Sequence, residues 1–391
     1  MKIAVLLSRV PYPLEKGDKL RAYHQIRILS QQHDIYLFAL NDGKIHPEAE
    51  RELAPFCKEM HFFPLSLPGS LWHAFCFFLQ GKPLQCGFFY RKPIHKRLRA
   101  ELERIQADSL YCQLIRTAEY ATGLPYRKTL DYQDVFSKGI DRIIPKSAWW
   151  KRGVLRAEYR RVSQYEHDVF DRFDHCTIIT QVDRDLIRHP RSKEIVVIPN
   201  GVDTEHYTSA PHRKTYDLIF TGNMGYLPNV EAATYIAKEI FPALRQKYPD
   251  IRIALCGANP SPRVLALENK HITVTGWVED MRDYYAQSRI FIAPMHLGTG
   301  LQNKLLEAMS MGIPCITSPL AAAPLNATEN HHLVVCNSTL GYIDAIDNLL
   351  KDKAYYERIA ENGHAFVQEK YNWEHTTRLL EKLLTPPSAC L

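Results

Sequence analysis

The sequence predicts an α/β protein made of two doubly wound parallel-sheet domains in tandem. Three observations predict it. Short apolar runs alternate with helix-length segments along nearly the whole chain. The alternation breaks once, over polar and proline-containing residues near 199–215, and then restarts. The length of 391 residues suits two cores rather than one.

The first series opens on "KIAVLLS" (Lys2–Ser8), a buried-type strand that ends in the loop "RVPYPLEKGDK". "LRAYHQIRILSQQ" follows with Leu20, Tyr23, Ile26, Ile28 and Leu29 at helical spacing. "IYLFAL" (Ile35–Leu40) is the next strand, and "MHFFPL", "SLYCQL", "KTLDYQ" and "CTIITQ" continue the layer. A charged helix, "RKPIHKRLRAELERIQ", lies between two of them. After "IVVIP" and the break, "YDLIFTG" starts the second series. The helix "NVEAATYIAKEIFPALRQKY" leads to "IRIALCG", "ITVTG", "RIFIAPM", "IPCIT" and "HLVVC". The domains are therefore expected at 1–198 and 216–371, with a linker at 199–215. An amphipathic helix at about 372–384 is expected to cross back onto the first domain.

Composition excludes several classes. No apolar run is long enough for a spanning helix, and the N-terminal apolar stretch is too short for a secretory signal. Nine cysteines without a Cys-x-x-Cys argue for reduced thiols in a cytoplasm. The seventeen histidines form no His-Glu-x-x-His; His206, His331 and His332 read as loop residues, and no metal is expected. Neither a Gly-x-Gly-x-x-Gly nor a Walker A sequence occurs, which leaves dehydrogenase and phosphotransferase readings little support. Charge is uneven: residues 1–198 hold 32 Lys+Arg against 23 Asp+Glu, and the remainder 17 against 20. A basic half suits an anionic partner. A membrane surface fits better than nucleic acid, because no recognition motif accompanies the charge.

"GTGLQNKLLEAMSMGIPC" (Gly298–Cys315) carries the most chemistry. A loop follows the strand "RIFIAPM". A helix is expected from Leu301–Gln302 to Met311, capped by Gly312, with Leu305, Leu306 and Met309 facing the sheet. Free backbone N–H groups and partial positive charge at a helix N-terminus seat a phosphate, and glycines let it approach. Lys304 adds a full charge, and Glu307 suits the vicinal hydroxyls of a ribose. The same spacing equally suits a surface helix with a Lys–Glu pair.

This segment resembles the donor site of family-4 retaining glycosyltransferases with the GT-B fold, and "IPNGVD" (Ile198–Asp203) is similar to their linker phrase. "PYPLEKGDKLRAYHQIRIL", "FTGNMGYLPNVEA" and "GANPSPRVLALENKHITVTGWVEDMRDYYAQSRIFIAP" resemble the sugar transferases associated with exosortase/PEP-CTERM exopolysaccharide systems. The resemblance implies two Rossmann-like domains facing across a cleft, a nucleotide-diphosphate sugar as donor, and a saccharide or lipid-linked saccharide as acceptor. It implies retention of configuration without metal, and no cofactor beyond the donor substrate. Donor contacts would come from Gly17, Asn223, Gly276, Trp277, Thr299, Gly300, Leu301, Gln302, Asn303, Lys304 and Glu307. Two departures stand out. Thr299 occupies the place of a second family glutamate, and "TGNMGYLPN", with Asn223 and Asn229, lacks the family's Arg and Lys.

A diphosphate leaving group needs countercharge. Lys304 is the candidate, with Lys16, Lys19 or Arg9 of the first loop assisting. Asp134, after "LDYQ", either orients the sugar or acceptor hydroxyl or caps the next helix. Lys16, Lys19, Arg21, Trp149 and Trp150 are the candidates for acceptor or membrane contact; the Trp-rich basic segment "SAWWKRGVLRAEYRRVSQYE" and the apolar "SLWHAFCFFLQGKP" suit a membrane interface or, alternatively, packed and solvated helices. The protein is expected in the cytoplasm, at the inner face of the membrane if docked. Competing functions are a nucleotide-sugar epimerase or hydrolase on the same fold, and a non-catalytic sugar-binding component of a polysaccharide assembly.

Overall fold

The computed structural model describes residues 1–208, 213–297 and 300–386. The chain divides into two compact units: Met1–Pro199 together with the segment from Thr376 onward, and Asn200–His375.

The first unit holds seven parallel strands: β1 (Lys2–Leu7), β2 (Asp34–Asn41), β3 (Glu59–Pro64), β4 (Ser109–Gln113), β5 (Arg127–Asp131), β6 (His175–Ile178) and β7 (Val196–Val197). Their order is β3-β2-β1-β4-β5-β6-β7. Val5 of β1 sits opposite Leu37 of β2 and Tyr111 of β4. Helices cover both faces, which is why β1 reads as a continuous apolar run rather than an alternating one. Ala4 and Leu6 enter one core and Ile3, Val5 and Leu7 the other, as the two-residue period of a strand requires.

Helix α1 (Gly17–Leu29) lies on one face and buries Ala22, Ile26 and Leu29. Leu20, Tyr23 and Ile28, expected on its hidden side, are only partly buried. Arg21, His24 and Gln25 are hidden instead, and Arg21 and Gln25 are drawn inward by a buried network with Asp131 and Tyr111. Helix α2 (Leu67–Leu79) buries Ser70, Ala74 and Phe77. Helix α3 (Lys92–Ile105) buries Leu98, Leu102 and Ile105, and α4 (Trp149–Phe170) buries Val162, Tyr165 and Val169.

The second unit has six parallel strands: β8 (Tyr216–Thr221), β9 (Ile253–Cys256), β10 (Ile272–Val274), β11 (Ser288–Ala293), β12 (Cys315–Thr317) and β13 (Val334–Val335). Their order is β10-β9-β8-β11-β12-β13. Succession runs outward from β8 to β10 and then jumps back to β11, so β8 and β11 flank the point where strand order reverses. Open α/β sheets bind ligands at the carboxyl ends of such a strand pair. Helix α5 (Leu227–Tyr235) follows β8, and α6 (Asn303–Ser310) follows β11. The last helix, α7 (Trp373–Leu384), begins in the second unit; its Leu380 and Leu384 bury in the first unit's core beside Ile198. No helix among the described residues is long and apolar enough to cross a membrane.

Candidate functional site

Helix α6 starts at Asn303, later than the expected Leu301–Gln302. Gly300 has φ +95° and Gln302 is extended, so neither backbone can join the helix. The other end matches expectation: Gly312 takes φ +66°, and the Ile313 N–H reaches back to the Ala308 carbonyl at 3.1 Å. Leu305, Leu306 and Met309 are buried against the sheet. That packing fixes which way the first turn presents Lys304 and Glu307.

Lys304 does not pair with Glu307. Its ammonium donates to Asn229 Oδ1 at 2.6 Å and lies 4.6 Å from the centroid of the Phe220 ring. Asn229, on α5, in turn donates from Nδ2 to the Asn223 carbonyl at 2.9 Å, and Asn223 Oδ1 accepts from the Gly225 N–H. The loop after β8 thus supplies no cation of its own but orients the α5 asparagine that holds one from α6. Two glycines make room. A Cβ on Gly222 would stand 2.7 Å from Asn229 Nδ2 and 3.0 Å from Lys304 Nζ, and one on Gly257 would stand 1.9 Å from the Gly222 carbonyl oxygen. Burial pushes the Lys304 ammonium down to about 7, with the Glu307 charge pulling the other way.

Glu307 accepts a 2.9 Å hydrogen bond from the Tyr285 hydroxyl, which also lies 2.8 Å from Thr221 Oγ1 at the end of β8. The Tyr207 ring meets Tyr285 edge-on at 6.2 Å, and the Tyr207 carbonyl accepts from Ser310 Oγ on α6. These rings strip water from the carboxyl and raise its pKa; the Tyr285 hydroxyl and Lys304 partly offset this. One helix end therefore holds a poorly solvated cation and a poorly solvated acceptor, separately supported. Such a site gains charge stabilisation when a polyanion and a diol arrive.

Around it, Thr299 lies outside the described residues, as does Gly298. Leu301 packs on the core, Gln302 Nε2 donates to the Gly300 carbonyl, and Asn303 Oδ1 is buried without a partner among the described residues. Gly276 follows β10, where its carbonyl accepts from the Gly257 N–H at 3.2 Å. Trp277 beside it is 74% exposed, which leaves a large flat ring free to stack.

The first unit corrects one site residue. Arg21 is not a surface contact: it is fully buried, with Nε 2.6 Å from Asp131 Oδ2 and Nη1 donating to the Pro199 carbonyl. Asp131 also takes Thr177 Oγ1 at 2.8 Å and the Tyr111 hydroxyl at 2.9 Å. A buried carboxylate this well supplied needs a full countercharge, and Arg21 is that charge. Asp134 is exposed after β5 and accepts from the Val135 N–H; Val135, not Asp134, is the residue before the helix, so the capping alternative fails. Lys16 and Gly17 are exposed at the start of α1, and Lys19 donates to the Tyr12 carbonyl. Trp149 and Trp150 are both exposed.

Sequence reasoning missed Arg116. It follows β4, the strand beside β1, and lies over the Phe89 and Phe136 rings at 5.1 and 4.9 Å. Burial and the nearby Arg9 both lower its pKa. Arg9 pairs with Asp18 at 3.1 Å. Two guanidinium groups thus gather where this sheet, too, reverses its strand order. Among the described residues, Glu59, His61 and Glu101 gather as a metal ion would require, but Arg104 is bonded to both carboxylates.

Residues 215–352 match the family described as glycosyl transferases group 1, a span that contains β8, α5, β11 and α6. The chain is 21% identical over 397 residues to an uncharacterized 44.6 kDa protein in the cps region of Klebsiella pneumoniae, covering 95% of this chain and 96% of that one. Over 221 residues it is 24% identical to one component of the phosphatidylinositol N-acetylglucosaminyltransferase of Homo sapiens, covering 53% of this chain and 44% of that one. Anabaena Alr3699/HepE in complex with UDP superposes with a TM-score of 0.70 at 14% identity, covering 98% of this chain and 99% of that one. Sucrose-phosphate synthase from Thermosynechococcus elongatus superposes with a TM-score of 0.66 at 14% identity, covering 98% of both chains. The architecture is GT-B, two parallel-sheet α/β domains.

Proposed function

We propose that this glycosyltransferase moves a sugar from a nucleotide-diphosphate donor to a saccharide or lipid-linked saccharide acceptor, with retention and without metal, in polysaccharide assembly. The observation that carries the reading is the Lys304–Asn229 contact beside Glu307 at the β8/β11 strand reversal. The diphosphate lies on the α6 N-terminus and Lys304. The ribose hydroxyls donate to Glu307, and the base stacks beside Gly276 and Trp277. Gly300, Leu301, Gln302 and Asn303, with Thr299, enclose the donor sugar.

In the transfer, the bond from the anomeric carbon to the diphosphate oxygen breaks. An acceptor oxygen bonds to the same face of that carbon, and its proton passes to the departing phosphate. Lys304 stabilises the charge that develops on the diphosphate. Asp134 orients the acceptor hydroxyl. Arg9, Arg116, Lys16 and Lys19 suit an acceptor that carries phosphate, as a lipid-linked saccharide does.

The structure of HepE with UDP makes UDP the first donor nucleotide to try, and the cps-region relative supports a polysaccharide role. Calorimetry with UDP, GDP, ADP and dTDP, followed by product analysis with the matching labelled sugar nucleotides and a lipid-linked acceptor, tests the reading. The expected result is one preferred nucleotide and a new glycoside of unchanged anomeric configuration. Release of free sugar alone, or a donor epimer, would favour hydrolysis or epimerisation instead.

A further inference from the structure

Helix α2, "LPGSLWHAFCFFL", contains no Asp, Glu, Lys or Arg. A helix apolar all round is expected inside a core. Only one side of α2 is: Ser70, Ala74 and Phe77 are buried. Leu67, Leu71, Trp72, Phe75 and Leu79 form a second stripe that faces solvent, with Trp72 64% and Leu79 70% exposed. The Trp72 and Phe75 rings lie 6.2 Å apart on that stripe. Single exposed apolar residues are ordinary, but a contiguous stripe of five marks a docking face.

The surroundings decide what docks. No acidic residue occurs between Glu59 and Glu101; of the cations in that interval Lys82 pairs with Glu119 and Arg99 with Glu103, while Lys92, Lys96 and Arg97 stand exposed on α3. Arg91 reaches Ser70 Oγ at 2.5 Å, which sets the start of α3 beside the first turn of α2. At the other end, the Arg161 guanidinium of α4 lies 3.7 Å from the Phe78 ring centroid. From there α4 leads back through exposed Arg160, Arg156 and Lys151 to Trp150 and Trp149, the last 83% exposed. Lys151 stands 4.7 Å from the Trp150 ring centroid. An apolar stripe edged with tryptophan and flanked by cations matches an anionic lipid surface in both layers: acyl region under the stripe, headgroups under the cations.

We propose that the first unit docks on anionic membranes by laying the α2 stripe Leu67–Leu71–Trp72–Phe75–Leu79 into the interface, with Lys92, Lys96 and the exposed α4 cations on the headgroups. This deepens the functional reading, because it names where a lipid-linked acceptor is met, and rests on that reading only for its purpose. The physical claim is binding to lipid.

Vesicles of phosphatidylcholine alone, and of equal parts phosphatidylcholine and phosphatidylglycerol, are sedimented with the full chain. Binding is expected to the anionic vesicles at low salt, about tenfold or more weaker to the neutral ones, and reduced by high salt. The variant Leu71→Glu/Phe75→Glu, both on the exposed stripe, should lose anionic-vesicle binding by about tenfold or more. Lys151→Glu/Arg156→Glu/Arg160→Glu should lose it while keeping the stripe. Circular dichroism and UDP calorimetry on the same samples should match the parent chain, so loss of docking is separable from loss of fold or of donor binding. Failure of the parent chain to sediment, or equal sedimentation of the stripe variant, overturns the proposal. So does light scattering that shows a dimeric parent and a monomeric stripe variant, because the stripe would then be covered by a second copy.

Discussion

The Lys304 ammonium and the Asn229 side-chain oxygen lie 2.6 Å apart, 75 residues from each other in sequence. This contact holds a cation at the carboxyl end of β8 without giving it a counter-ion. The groups it touches are a neutral amide and an aromatic face, and the Glu307 charge acts on it without pairing. Such a cation is short of negative charge until an anion arrives.

That shortage predicts a pH-dependent donor affinity. With Lys304 lowered to about 7 by burial, a bound diphosphate raises it, and binding takes up a proton above neutrality. UDP affinity should fall as pH rises through 7, approaching about tenfold per pH unit. Calorimetry in buffers of different ionisation enthalpy reads the proton uptake. Lys304→Met should abolish it, and Lys304→Arg should leave affinity flat across this range.

The same group affects folding with a defined sign. Its folded pKa lies below that of the unfolded chain, so the unfolded state binds more protons between about 7 and about 10. Stability should therefore rise with pH across that window on account of Lys304. Thermal melts of Lys304→Met should lack this component and show an equal or higher midpoint at neutral pH.

Glu307 and Tyr285 should act as a pair on the ribose. Glu307→Ala should weaken UDP binding about 10- to 100-fold, the range of one or two hydrogen bonds to a charged group. Tyr285→Phe should cost less, since it frees the carboxylate from a donor but also removes the Thr221 contact. Removing the ribose hydroxyls from the ligand should weaken binding to the parent chain and leave binding to Glu307→Ala unchanged.

Arg21 should matter for folding and not for donor binding. Arg21→Met leaves the buried Asp131 carboxylate without its cation, at a cost of about 3–5 kcal/mol. Denaturant unfolding followed in the first unit should show that loss. UDP affinity, which the proposed site assigns to the second unit, should stay within about twofold, since sites without shared partners behave independently.

Asp134→Asn should lower turnover and leave UDP affinity unchanged, because its carboxylate is exposed and accepts from the adjacent Val135 N–H. Rates at saturating donor and acceptor check this.

What the sequence made legible follows the range of the interactions. The alternation of strands and helices is local, and so is the glycine-loop-to-helix turn that singled out Lys304 and Glu307. Their partners are not local. Asn229 belongs to another helix, Tyr285 comes from a helix before β11, and Tyr207 packs on Tyr285 from the segment ahead of β8. Arg21 misleads for the same reason. Beside Lys16 and Lys19 it reads as one more loop cation, and only Asp131, 110 residues later, draws it inside. Arg116 has no local signal at all, since its aromatic supports Phe89 and Phe136 flank it from separate segments.

A crystal structure of the chain with UDP tests the central claim most directly. The ribose hydroxyls should lie within hydrogen-bonding distance of the Glu307 carboxylate, and the diphosphate against Lys304 and the first backbone N–H groups of α6. Clear density for the nucleotide anywhere else, with Lys304 still held by Asn229 and facing no phosphate, would contradict it.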